Sequence, residues 1–432
     1  MKLSTRLVPI VIFVATFGLT YGVGKYYDDR HVLDQWNTLF DSDAPEYVDA
    51  FSNGWPKPSF RHPFGGMFFS TPIRAIGKVA ATITGGDELR IRRDLCFLIV
   101  PFFEALKNLV LYLLLIRIGL NSWQAAIMCG LNLFALSTMT IGSIPESFPI
   151  SSAAIVVFAW LMAREFGARE RVPIWQWILA GSFAIGITIT NIVPLLVFYL
   201  LGKRLGRTES WFSGLKQSAV LATLSLVCTF ALSAVFAVAY SHGAKSLLPQ
   251  SKRGDLGMRQ NGDNPVEQLA IAAASTFVGI IPRDIVPNNI YVEKSFTPEE
   301  RPSLLMMFTY SRQKLNNFQT LSWVLLYAGL LAIGGWLAYR QQGAWSAITL
   351  GSVALLVFNF TLHRFFYWND MFLYAPHWQV PMLLLLAGLV FLKPRFALGP
   401  AVLAALAIAS AVTSFQFLAE VGNAVKHLPS VY

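Results

Sequence analysis

Apolar runs long enough to become membrane helices recur along nearly the whole chain, at residues 7–24, 96–118, 122–140, 151–163, 173–187, 191–202, 217–241, 319–339, 344–362, 378–392 and 397–419. A bilayer core takes about 20 apolar residues per helix and has no water to satisfy stray backbone groups. With 55% hydrophobic and only 13% charged residues, a water-soluble surface could not cover this chain. Alternating strands are missing, which removes a barrel. The expected fold is an all-α polytopic membrane protein of about eleven transmembrane helices, one integral-membrane domain over residues 1–432.

Basic residues set the orientation. Lys2 with Arg6, Arg117, Arg164 to Arg171, Lys203 to Lys216, Arg340, and Lys393 with Arg395 all fall in short loops of one parity, which makes that side cytoplasmic. The N-terminus is then cytoplasmic and the C-terminus periplasmic, and loops 25–95 and 242–318 face outward. The opening run after Lys2 and Arg6 reads as a retained signal anchor. Around Thr190, Asn191 and Pro194 the run 173–202 reads as two short helices, because one helix would split the neighbouring basic clusters between the two sides. Residues 266–281, bounded by Pro265 and Pro282, read as an interfacial or re-entrant helix. The net charge of +10 is scattered through loops, which points to lipid head groups and phosphates and not to nucleic acid. Cys96, Cys129 and Cys228 lie in or beside apolar runs and imply no disulfide framework.

Candidate chemistry concentrates outside. The first loop reads Phe40-Asp41-Ser42-Asp43-Ala44-Pro45-Glu46-Tyr47, then Arg61-His62-Pro63-Phe64, and the six histidines all fall on or near the outward side. Pro45 suits the first turn of a helix, which would make Asp43 its N-cap and leave Asp41 a solvated loop acid. The alternative is that one of them is a general base, with Asp41 the first choice. Arg61 and His62 are cation candidates for a phosphate, as are Arg283, Arg312 and Lys314 in the second large loop, although interfacial anchoring explains the last two equally simply. Glu146, between Pro145 and Pro149, and His377, between Pro376 and Trp378, sit at outer helix ends. Glu104 and Lys107 share a helix face and are expected to neutralise each other. No Walker loop, dinucleotide fingerprint, His-Glu-x-x-His helix or Gly-x-Ser-x-Gly elbow occurs.

The early acidic Asp41-x-Asp43, the downstream His62-Pro63, the Ile144-Pro145-Glu146-Ser147-Phe148 and Leu373-Tyr374-Ala375-Pro376-His377-Trp378 segments, and the large first outer loop with juxtamembrane helices together resemble the GT-C class of membrane glycosyltransferases. The resemblance covers the overall plan, but the adjacent Asp-Glu pair, the Trp-Trp-Asp signature and the large C-terminal domain of some members are missing. It implies a bacterial inner-membrane enzyme that moves a sugar from an undecaprenyl-phosphate carrier to an envelope glycan, lipid or protein acceptor. Asp41 and Asp43 would then be catalytic, Arg61, His62, Arg283, Arg312 and Lys314 would hold the donor phosphate, and Glu46, Tyr47, Glu146 and His377 would bind substrate. A divalent metal shared among the loop acids is compatible with this plan, and its identity is left open. The alternatives are a glycan ligase or polymerase using a lipid-diphosphate donor, and a lipid or glycan flippase.

Overall fold

In the computed structural model, the described residues are 3–33, 39–40, 42–52, 59–64, 66–167, 171–239, 247, 264–286, 307–310, 312–365, 371–392 and 397–425. In chain order the helices are α1 Leu3–Asp28, α2 Ala44–Ser52, α3 Met67–Thr84, α4 Glu88–Arg117, α5 Ser122–Leu133, α6 Leu136–Met139, α7 Ser147–Glu165 and α8 Ile174–Ile187. They continue as α9 Ile192–Leu201, α10 Trp211–Ala239, α11 Pro265–Ala274, α12 Phe318–Tyr339, α13 Gly343–Phe365, α14 Ala375–Ala387 and α15 Leu398–Val425. A two-stranded antiparallel ribbon, β1 Asp284–Val286 with β2 Met307–Thr309, pairs Ile285 with Phe308. The chain is an all-α polytopic membrane protein.

Nine helices among the described residues are long and apolar enough to cross a membrane, not eleven. The two remaining runs are present but interrupted. Residues 122–140 form α5, a break at Phe134–Ala135 and the single turn α6. Residues 173–202 divide, as expected, because Thr188 is extended (φ −151°, ψ 126°) between α8 and the segment Ile189–Gly206.

The ends of the helices sort into two faces. At the basic end, the buried Glu165 takes Lys203 at 3.2 Å and Arg207 at 2.8 Å, Arg117 Nε donates to Ala163 O, and Trp345 Nε1 donates to Ile118 O. At the opposite end, α1 and α4 meet through Arg93–Asp28 (2.7 Å) and Lys25–Asp94 (3.0 Å). α4 is nucleated there by Asp87, whose carboxylate accepts from Leu89 N, directly after Gly85 ends α3 in the left-handed region.

Inside the bundle several polar groups pair with one another. Glu104 and Lys107 form a fully buried ion pair at 2.6 Å, as the i, i+3 spacing requires. Gln379 Nε2 donates to Asn132 Oδ1 and Thr138 Oγ1, and Ser137 Oγ donates to Gln379 Oε1. α11 is capped by Asn264 and enters beside α12, and its following loop bonds back to the α5–α6 break, Leu136 N to Phe277 O and Ser137 N to Thr276 O. It then returns to the ribbon at the same end, an arrangement compatible with an interfacial or a re-entrant segment at 266–281.

Candidate active site

α8 determines where the site sits. Its 14 residues rise about 21 Å, short of the roughly 30 Å hydrocarbon thickness, so its last carbonyls are left within the bundle. The Arg61–Phe64 segment satisfies them: Phe64 N donates to Gly186 O (2.8 Å), His62 Nδ1 lies 2.8 Å from Ile187 O, and Ile189 N donates to Arg61 O (2.9 Å). Docking this loop on a short helix creates a recessed floor.

The opposite wall comes from the start of α7 and the approach to α2. Glu146 is extended (φ −152°, ψ 151°) and caps α7, its carboxylate accepting from Ser147 N at 2.7 Å and from Asp43 N at 3.3 Å. Asp43 occupies the residue before α2, its carbonyl accepting the helical bond from Tyr47 N. The loop is fixed from its other side by Phe40, which donates to Phe308 O (3.0 Å) and packs its ring 4.4 Å from Phe372.

Between these walls lies a cavity of about 290 Å³, near the lower end of small-molecule sites. Its polar lining is Asp43, Tyr47, Ser59, His62, Glu146 and Ser147, and its apolar lining includes Phe51, Phe64, Phe69 and Ile150. The aromatic cluster continues through Phe68, Phe103 and Phe183, where Phe103 and Phe183 stack at 5.5 Å.

Proton affinities in this cavity are displaced from their ordinary values. Burial, followed by the neighbouring Asp43 charge, pushes Glu146 up to about 8, and burial pushes Asp43, at the cavity mouth, up to about 6. Both shifts oppose ionising the two acids together. Burial holds His62 below the usual imidazole range. A carbonyl can only accept, so His62 carries its proton on Nδ1 and leaves Nε2 with a lone pair.

Of the residues expected from the sequence, Asp43, Tyr47, His62 and Glu146 converge here. Glu46 lies in the first turn of α2; Asp41, Lys57, His242 and His427 lie outside the described residues. Arg61 is exposed beside His62, and no Lys or Arg lines the cavity among the described residues. Arg283 is not brought to the cavity: it pairs with Glu420 of α15 and lies 4.8 Å from the Phe417 ring. Arg312 is exposed and Lys314 half-buried just before α12, where an interfacial anchor belongs. His377 packs edge-on to Phe148 (ring centres 5.0 Å apart), 3.2 Å from His363 Nε2, and lines a separate small cavity with Asn191 and Asn359.

Ser59, Phe64, Ser147 and Gly186 were not singled out from sequence. Ser147 adjoins Glu146, and Gly186 lies two residues before the break, so proximity was their only sequence signal. Among the described residues no group of three or more His, Cys, Asp or Glu has the arrangement of a metal site. Compared with models of known protein families and with curated protein sequences, the chain matches none.

Proposed function

We propose that this chain is a membrane glycosyltransferase of GT-C type, moving one sugar from a polyprenyl-phosphate carrier to an envelope glycan, lipid or protein acceptor at the periplasmic face of a bacterial inner membrane. The observation that carries the reading is the convergence of Asp43, Glu146 and His62 on one recessed cavity with an aromatic wall. Sugar transfer from a phosphate needs negative charge near the anomeric carbon, where an oxocarbenium-like charge develops, and a group to take the attacking hydroxyl's proton. An acid pair beside an imidazole supplies both. A lining that combines these polar groups with phenylalanines suits an occupant that carries both hydroxyls and an isoprenoid chain. With no Lys or Arg along the wall among the described residues, the phosphate is best accommodated at the rim, on the Arg61 side.

Purified protein in nanodiscs, given polyprenyl-phosphate sugars and an envelope extract, tests this. Wild type should transfer sugar, and Asp43→Asn should lower the rate by about two orders of magnitude with normal insertion, since asparagine caps helices nearly as well. Undiminished transfer by Asp43→Asn would remove this cavity as the reaction centre.

A second reading, a flippase, is favoured by the interrupted α5–α6 meeting the α11 loop, because broken helices often frame transport sites. Against it, the groups at that junction are engaged with each other: Trp378 Nε1 donates to Thr276 Oγ1 and Ser410 Oγ bonds both Phe134 O and Phe277 O. Movement of intact lipid-linked sugar across vesicles, without transfer, would select it.

A further inference from the structure

We propose that His62, through Nε2, is the base that takes the proton from the attacking hydroxyl, while Asp43 stays ionised to face the charge growing on the sugar. This rests on the transferase reading and divides the labour within its site.

Geometry fixes the imidazole for that work. Nδ1 is committed to Ile187 O at 2.8 Å, with Thr188 Oγ1 no closer than 3.5 Å, and the backbone beneath is pinned by His62 N to Ser59 Oγ (3.0 Å) and Ser59 N to His62 O (3.1 Å). The acceptor nitrogen is therefore on a ring that cannot turn without breaking the cap of α8. A neutral imidazole whose one N–H is held by a carbonyl has its tautomer and orientation fixed in the same way as in metal and triad sites. It also means that His62, while neutral, has no N–H left to offer a phosphate.

Electrostatics then separates the roles. A proton placed on Asp43 would leave two neutral acids and remove the negative charge from the sugar at the moment it is needed. Placed on His62, it creates an imidazolium in the same cavity that the ionised carboxylate lines, charges of opposite sign in a recessed site. In the step, the acceptor O–H bond breaks and its proton goes to Nε2. The oxygen's electron pair forms the new bond to the anomeric carbon, and the bond from that carbon to the phosphate oxygen breaks with its electrons leaving on the phosphate. The imidazolium then returns its proton to solvent or to the departing phosphate.

His62→Asn is the informative variant, because its amide can keep a donor on Ile187 O yet has nothing at the Nε2 position. Sugar transfer should fall about 100-fold with donor affinity within about threefold of wild type, and added imidazole should restore part of the rate in proportion to its free-base form. In wild-type protein labelled with ¹⁵N-histidine, the signal missing from His62→Asn should have the shifts of the Nδ1–H tautomer. Transfer by His62→Asn near the wild-type rate, a loss explained by donor affinity alone and not rescued by imidazole, or an Nε2–H tautomer would each overturn the proposal. Absence of transfer by wild type with every donor would instead fail the transferase reading, which keeps the two failures apart.

Discussion

At the scale of single residues, Glu146 has the most consequence because its two duties conflict. As an N-cap it receives Ser147 N–H and benefits from the helix terminus, while burial beside Asp43 opposes its charge. The raised value, about 8, shows which wins. An acid whose folded pKa lies above its unfolded one binds more protons in the folded state between the two values. Stability therefore falls as pH rises through that window, and the full cost is present above about pH 8. Glu146→Gln keeps the acceptor for Ser147 and has no proton to lose. Its melting temperature should pull ahead of wild type as pH is raised from about 6 to about 8.5. Parallel melting curves across that range would mean that Glu146 is ionised throughout. Proximity of Asp43 to Glu146 was not legible from sequence, since they stand 103 positions apart and only the fold joins them. The residue type was legible as either a site group or a helix-start acid, and Glu146 both caps α7 and lines the cavity.

At the scale of elements, the lesson lies in the interrupted helices. The break after α8 was expected around Thr190, Asn191 and Pro194, since one helix would split the neighbouring basic clusters, and Asn191 donates to Ala184 O and Ser151 Oγ across it. The break between α5 and α6 was invisible: Leu131 to Met139 contains neither Gly nor Pro. It exists because the α11 loop supplies carbonyls to Leu136 N and Ser137 N, and Ser410 and Ser414 cap Phe134 O, all from distant sequence. At α8 the cap is the site loop itself, and Gly186 makes it fit. A Cβ on Gly186 would stand 2.2 Å from the Phe64 ring. Gly186→Ala should therefore destabilise by about 1–3 kcal/mol and lower transfer through a displaced His62. Phe64→Leu in the same chain should recover part of both, and additive losses in the double-mutant cycle would refute the contact.

For the whole molecule, the short basic loops gather at one end and the acid–imidazole cavity lies at the other, and that division links sequence to structure. The basic loops were expected on one side by parity alone. The structure gathers Arg117, Arg164, Lys203 and Arg207 at one end, with Arg164 Nη1 on Gln176 at the start of α8, and places Asp43, His62 and Glu146 at the other. Nine full-length helices together with the interrupted α5–α6 and the short α8 preserve the parity that eleven crossings demanded, because both interrupted segments still carry the chain from the basic end to the site end. α11 adds no crossing, which leaves Ile280 on the site face. With the basic end cytoplasmic, as the short basic loops lead one to expect, this arrangement predicts an outcome for cysteine labelling in intact cells. In a Cys228→Ser background, with Cys96 and Cys129 buried, Arg90→Cys and Ile280→Cys should react with a membrane-impermeant maleimide from outside, and Ser210→Cys and Gln341→Cys only after permeabilisation. If Ile280→Cys were labelled only after permeabilisation while Arg90→Cys reacted from outside, α11 would have to cross. The junction of its loop with the α5–α6 break would then be wrong. The reverse pattern at all four positions would turn the acid–imidazole cavity toward the cytoplasm, where soluble nucleotide sugars become available as donors and the case for a lipid-linked one is lost.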